Sequence, residues 1–333
     1  QAGLLSGHVE PTQIGVSIGS ELSRPALTQI ADRFDLIDSG QGIKALKSSR
    51  PSEFLARGAH FPATALAHAH GFCGPLLTTS TACTSSAQSI GDALRMIRRG
   101  DAEVMIAGGT DCLVEELMVM GFSLLGALSS RNEEPQVACR PFDRTRDGFV
   151  LGEGAGVLVL ESEAHAKARD ARILGYVDGF GTSANAWRIT DSPPDGRGAS
   201  MSMTAALKDA GLSPDKIDYI NAHGTSTQQN DQSETAAIKA TFGNHAPRLM
   251  VSSTKSMMGH LVAACAAVEL IVALMACREQ IAPPTINYKH PDPLCDLDYV
   301  PNESRQAKVT TCLSNNFGFG GQNDTLIVTR YAE

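Results

Sequence analysis

The stretch STACTSSAQSIGDALRMIRRGD, residues 80–101, holds one cysteine, Cys83, among small and hydroxyl residues where an apolar run gives way to helical periodicity. A sulfur at such a junction faces the unpaired amides of a helix's first turn, which lower a thiol pKa and stabilise a thiolate or an oxyanion. On composition alone, a cysteine in these surroundings reads as a small packing residue. Two further loops of the same kind change that balance. INAHGTSTQQND sets His223 just past a strand-like run and ahead of Thr225 and Thr227, and STKSMMGHL sets Lys255 and His260 ahead of a strongly apolar helix. Each histidine taken singly reads as structural, but three strand-end loops in one alternating chain fit a single crevice at the carboxyl ends of the strands.

Other signals carry less. GVSIG (15–19) matches the G-x-S-x-G pattern with Ser17 as nucleophile, yet Ile14, Val16 and Ile18 alternate as a strand does, and ELSRPAL with Pro25 is a poor helix to follow it. LGEGAG (151–156) runs into a strand instead of out of one into a helix, which argues against a nicotinamide cofactor. His60, His68 and His70 lack a metal spacing and read as a polar or packed helix face, and RMIRRGD reads as a solvated helix end.

The elements that must position these loops follow from the whole chain. With 333 residues, 42% of them hydrophobic and 19% charged, it has material for a sizeable core in two domains or two halves. No apolar run reaches the ~18 residues of a membrane span, because LVAACAAVELIVALMAC is cut by Glu269 and stops at Arg278. Eight cysteines are scattered singly with no C-x-x-C pair, which suits a reducing cytoplasm and no metal. A net charge of −8 argues against non-specific nucleic-acid binding.

Strand-like QIGVSIG, PLLTTST, EVMIAGG and AGVLVLE alternate with helix-like runs, among them SAQSIGDALRMIRRG with Ile90, Leu94 and Ile97 at helical spacing. This alternation predicts an α/β protein. After SEAHAKARD the pattern restarts with RILGYVDGFG, KIDYINAHG and RLMVSSTKS and closes in KVTTCLSNNFGFGGQNDTLIVTRY, two strands around a Gly-rich turn. Because TTSTACTSS and VSSTKSMMGH occupy comparable places, an internal duplication is expected, with halves at 1–164 (carrying Cys83) and 165–333 (carrying His223, Lys255 and His260).

TACTSS, NAHGTSTQQND, SSTKSMMGH and NNFGFGGQN, in this order, resemble the β-ketoacyl-acyl carrier protein synthases, in particular the type II elongating enzymes of the thiolase superfamily. PFDRTRDGFVLGEGAGVLVLE and PPTINYKHPDPLCDLDYVP add to the likeness, which runs from about Ile14 to the end. The resemblance implies a thiolase-like five-layer α/β/α/β/α fold and decarboxylative Claisen condensation of an acyl thioester with malonyl-acyl carrier protein, in fatty-acid, polyketide or aryl-polyene synthesis. It further implies a cytoplasmic homodimer that uses acyl carrier protein and needs no metal or redox cofactor. Cys83 would hold the acyl group. His223 and His260 would donate to the enolate oxygen formed as carbon dioxide leaves, so that two imidazoles beside a cysteine select condensation over hydrolysis.

By the same resemblance, the amides of Cys83 and Phe317 would form the oxyanion hole, with Phe317 as gate. Lys255 would pair with Glu269, or with Asp231 and Glu234 across the cleft. Thr225, Thr227 and Thr190 would hold the pantetheine arm. Family members open with a strand like VVVTGLG ahead of QIGVSIGS, so the first half is expected to lack its N-terminal segment and to leave a sheet edge open. A basic residue is common in the family near Gly126, and Lys44, Lys47, Arg50 and Arg57 are the alternative carrier patch; Glu53 and Met118 fall where pocket-lining residues are expected. Two rivals stand beside this reading: a non-condensing partner subunit or inactive fragment, opposed by the intact Cys83, and an acyl-thioester hydrolase, opposed by the second histidine.

Overall fold

A computed structural model describes residues 2–4, 9–21, 27–41 and 56–332. The alternating runs form two sheets. In the first, β1 (Ile14–Gly19) lies between β2 (Leu76–Thr79) and β3 (Val104–Asp111), both parallel to it, and β3 pairs antiparallel with β4 (Gly154–Glu161). The second contains β5 (Gly175–Ala184), β6 (Tyr219–Asn221) and β7 (Met250–Ser252), and a small ladder of β8 (Ile281–Ala282) and β9 (Arg305–Gln306) follows them in the chain. It is completed by β10 (Thr311–Phe317) and β11 (Gln322–Arg330), in the spatial order β5-β11-β10-β6-β7. The series β2-β1-β3-β4 repeats the series β7-β6-β10-β11 in order and direction. The second sheet continues into β5, whereas among the described residues β4 ends the first.

Helix Ser85–Arg99 buries Ile90, Ala93 and Leu94 and stops at Gly100, whose φ of 79° forms a left-handed cap. Its counterpart Cys265–Glu279 is apolar nearly all round, as befits a helix enclosed on every side. These two helices share one core with residues of both sheets, including Met105 of β3 and Leu326 of β11. Ala63 and Ala67 of helix Phe61–His70 cover the far face of the first sheet, and helices Arg197–Ala210 and Gln228–Phe242 cover that of the second. The result is the expected five-layer order. Gly91 is needed for the central layer to close, because a Cβ there would lie 2.3 Å from the Phe180 ring.

One residue of this core works against it. Asp324 on β11 is fully buried, and burial pushes its acid up to about 7 against the opposing pull of the Thr182 and Gln322 side chains. A carboxyl raised in the fold contributes most below its unfolded value near 4, and that contribution is lost as pH rises through about 7. Asp324→Asn is therefore expected to raise stability at pH 8 by on the order of 4 kcal/mol and to change it little at pH 4. Denaturant melts at the two pH values read this, and an equal effect at both would contradict the assignment.

Candidate active site

Two loops are built alike, each leaving a strand and turning into a central helix through a residue in the left-handed region. In the first, Ala82 has φ 52° and a short 3₁₀ turn, Ala82–Thr84, leads into Ser85; in the second, Val262 has φ 48° and Val262–Ala264 leads into Cys265. Such a conformation costs on the order of 1–3 kcal/mol for a residue with a Cβ, most for a β-branched one, and must be held by its surroundings. It is held the same way twice: Thr81 N–H donates to Ser85 Oγ at 2.8 Å, and Leu261 N–H to Cys265 Sγ at 3.0 Å. Both loops press on Gly109, where a Cβ would come within 2.6 Å of Ser86 Cβ and 2.7 Å of the Ala263 carbonyl oxygen.

This places Cys83 Sγ 3.1 Å from His260 Nε2. His223 comes from the loop after β6, and its ring packs at 5.5 Å from those of His260 and Phe317. The three side chains are buried and their ligand-type atoms lie within 4.8 Å of one another, the one such group among the described residues. That spacing alone would also suit a metal. A dication, however, would meet the buried Lys255 ammonium, whose charge already acts on all three residues. A cavity of about 330 Å³ opens on them, with Thr190 exposed at the edge and Thr225 and Thr227 along one wall, their hydroxyls 2.9 Å apart.

The electrostatics differ in part from expectation. Burial pushes the Cys83 thiol up to about 12; Lys255 and the amides of Phe319 and Cys83 pull the other way without prevailing. The first-turn amides do not make this a resting thiolate, because desolvation of a buried sulfur outweighs them. Burial pulls both imidazoles well below 6.5, with Lys255 adding to the effect, so His223 and His260 are neutral at physiological pH. Burial alone would lower Lys255, but Glu269 at 2.5 Å more than offsets it and the ammonium is retained.

Lys255 pairs with Glu269, whose other oxygen accepts from Asn316 at 2.7 Å. Asp231 does not reach it: Arg146 lies 3.3 Å from Asp231, which also accepts the Phe142 amide at 2.7 Å. Glu234 is likewise occupied, accepting the amides of His223 and Gly224 at 2.9 and 2.8 Å and Asn315 at 3.1 Å, and so fixes the His223 loop. Phe317 ends β10 opposite Asn323, against His223. The amide of this turn that lowers the Cys83 thiol is that of Phe319, two residues beyond Phe317, where the chain has left the strand. NNFGFGG carries two aromatics, and β10 ends at the first of them.

Residues not anticipated include Glu21, which accepts the Ala82 amide and the Ser80 hydroxyl, each at 3.0 Å, and so braces the Cys83 loop from outside. Ser17 is buried within β1 and bonded to Ser89, which removes it as a nucleophile. Met118 packs against the cluster containing Cys83. Gly126 lines the cavity, and Arg57 donates to Gln29 at 2.8 Å. Lys44, Lys47, Arg50 and Glu53 lie outside the described residues.

Comparison with known proteins agrees with this geometry. Residues 1–166 match the family model "Beta-ketoacyl synthase, N-terminal domain" and residues 174–289 its C-terminal counterpart. The chain is 44% identical over 334 residues to 3-oxoacyl-[acyl-carrier-protein] synthase 2 of Coxiella burnetii, covering 99% of this chain and 78% of that one. It is 51% identical over 261 residues to the protein of that name from Synechocystis sp., covering 78% of this chain and 63% of that one. One chain of a solved complex of a type II polyketide acyl-carrier protein with its hexaketide-bound ketosynthase superimposes with a TM-score of 0.91 at 35% identity, over 99% of this chain and 81% of that one. The fold is thus that of the thiolase-like acyltransferases. The chain belongs to the β-ketoacyl synthase family of condensing enzymes.

Proposed function

We propose that this protein is a 3-oxoacyl-[acyl-carrier-protein] synthase. The observation that carries the reading is the convergence of one cysteine and two neutral histidines on a single cavity. Cys83 Sγ attacks the carbonyl of an acyl thioester, the tetrahedral oxyanion is met by the amides of Cys83 and Phe319, and the carrier thiol leaves with the proton. Malonyl thioester then enters past Thr190, Thr225 and Thr227, which bond its pantetheine arm. As carbon dioxide leaves, N–H groups of His223 and His260 donate to the enolate oxygen, and the carbanion attacks the Cys83 thioester. The 3-oxoacyl product, two carbons longer, departs on the carrier, and the Cys83 thiolate regains a proton from water. Phe317 and Phe319 flank the entry of the acyl chain; Lys255 with Glu269, and Glu234 with Asp231, hold the loops.

Acyl carrier protein is the partner in this reading. A homodimer is supported by β2, an edge strand with Leu76 half-exposed, and by helix Glu116–Leu124, which with Leu125 leaves Met120, Leu124 and Leu125 to solvent. Halves at 1–164 and 165–333 accord with the repeated sheet order. A cytoplasmic place accords with eight free cysteines; among the described residues no helix is long and apolar enough to cross a membrane.

Incubation with acyl-carrier protein and malonyl-carrier protein tests the reading. Formation of the 3-oxoacyl-carrier with one carbon dioxide per turnover is expected. Release of free acid instead would favour hydrolysis, and no product from folded protein would favour a non-condensing subunit.

A further inference from the structure

The neighbour of His260 on the side away from Cys83 is another cysteine. Cys265 Sγ lies 3.1 Å from His260 Nδ1, and both residues are buried. The direction of this hydrogen bond follows from its surroundings. Val262 N–H points at the same Nδ1 at 3.3 Å, and an amide can only donate, so Nδ1 carries no proton and accepts. Leu261 N–H donates to Cys265 Sγ at 3.0 Å, which leaves the thiol hydrogen for Nδ1. We propose that Cys265 is a positioning residue that, as the nearer of two donors to Nδ1 beside the Val262 amide, helps keep the proton of His260 on Nε2, the nitrogen 3.1 Å from Cys83 Sγ, ready to donate to the enolate oxygen. The inference rests on the synthase reading for its consequence, though not for its geometry.

Two observations strengthen it. Burial and Glu269 raise Cys265 well above 9, Lys255 opposing, so the sulfur keeps the hydrogen it must donate. In the first loop Ser85 occupies the matching position and receives the Thr81 amide as Cys265 receives that of Leu261, so the fold accepts a hydroxyl there. Serine can replace the thiol as donor, whereas alanine removes it.

Nitrogen-15 NMR of the full chain labelled on histidine, with the His260 signals assigned by their loss in His260→Gln, reads the tautomer without substrate. The wild type is expected to show a protonated Nε2 and an accepting Nδ1. Cys265→Ala leaves only the longer Val262 amide on Nδ1, so it is expected to shift the Nδ1 signal toward that of a more weakly bonded acceptor and to lower malonyl decarboxylation about fivefold, the factor one net hydrogen bond is worth. Acylation of Cys83 should stay within about twofold. Cys265→Ser is expected to restore the Nδ1 signal and the decarboxylation rate. A wild-type His260 protonated on Nδ1, or Nδ1 signals identical in wild type and Cys265→Ala, would overturn the proposal. A protein with the expected Nδ1 signals but no acylation at all would sink the synthase reading and leave the hydrogen-bond assignment standing.

Discussion

Replacing Cys83 by alanine is expected to abolish acyl transfer, with a fall of at least about a thousandfold, because among the described residues no other cysteine lines the cavity. Ser17 is buried in β1 and bonded to Ser89, and Cys265 lies behind His260. Loss of one sulfur leaves the loop's other supports intact, namely the Thr81–Ser85 bond and the Glu21 brace, so the variant should fold. Malonyl decarboxylation should survive, since His223 and His260 are untouched. Rates of acyl exchange and of carbon dioxide release, measured on the same preparation, separate the two functions. Loss of both, with the fold retained, would mean that Cys83 is needed for more than acyl capture.

The converse change is His260→Ala. Removal of one donor to a developing oxyanion lowers such steps on the order of 10²–10³-fold, and that fall is expected in decarboxylation. Acylation should be affected less, about tenfold, through loss of the 3.1 Å contact to Cys83 Sγ. The pH dependence has a definite sign. Burial, with Lys255, holds both imidazoles well below 6.5, so they remain neutral donors as pH rises, and wild-type decarboxylation should be flat from about pH 6.5 to 9. A loss of rate on lowering pH through 6.5 would show that a histidine protonates there and would contradict the neutral-donor role.

The site was legible in the sequence to the extent that its chemistry is local. Cys83 and His223 each follow a strand run and precede small or hydroxyl residues, His260 closes a loop ahead of a strongly apolar helix, and alternation points to the two sheets and the central helices. Properties set by packing were not legible. The depth of Cys83 depends on residues from both halves, including Val262 and Phe149, and with it goes the thiol's upward shift. Glu269 and Asp231 were both plausible partners for Lys255 by charge, and only the path of helix Gln228–Phe242 toward Arg146 decides between them. Phe317 and Phe319 differ in placement because β10 ends between them. Cys265 reads as one more small apolar residue of an alanine-rich helix, yet the repeat of the Cys83 loop in LVAACAAVE carries a signal: its fifth residue aligns with Ser85, the cap of the first loop.

The most direct test of the central claim is the intact mass of the protein after exposure to a medium-chain acyl-carrier protein, followed by addition of malonyl-carrier protein. One acyl group on Cys83, discharged as the two-carbon-longer 3-oxoacyl-carrier forms, is the predicted result. An acyl group on another residue, or one that leaves Cys83 as free acid while malonyl-carrier protein stays intact, would contradict it.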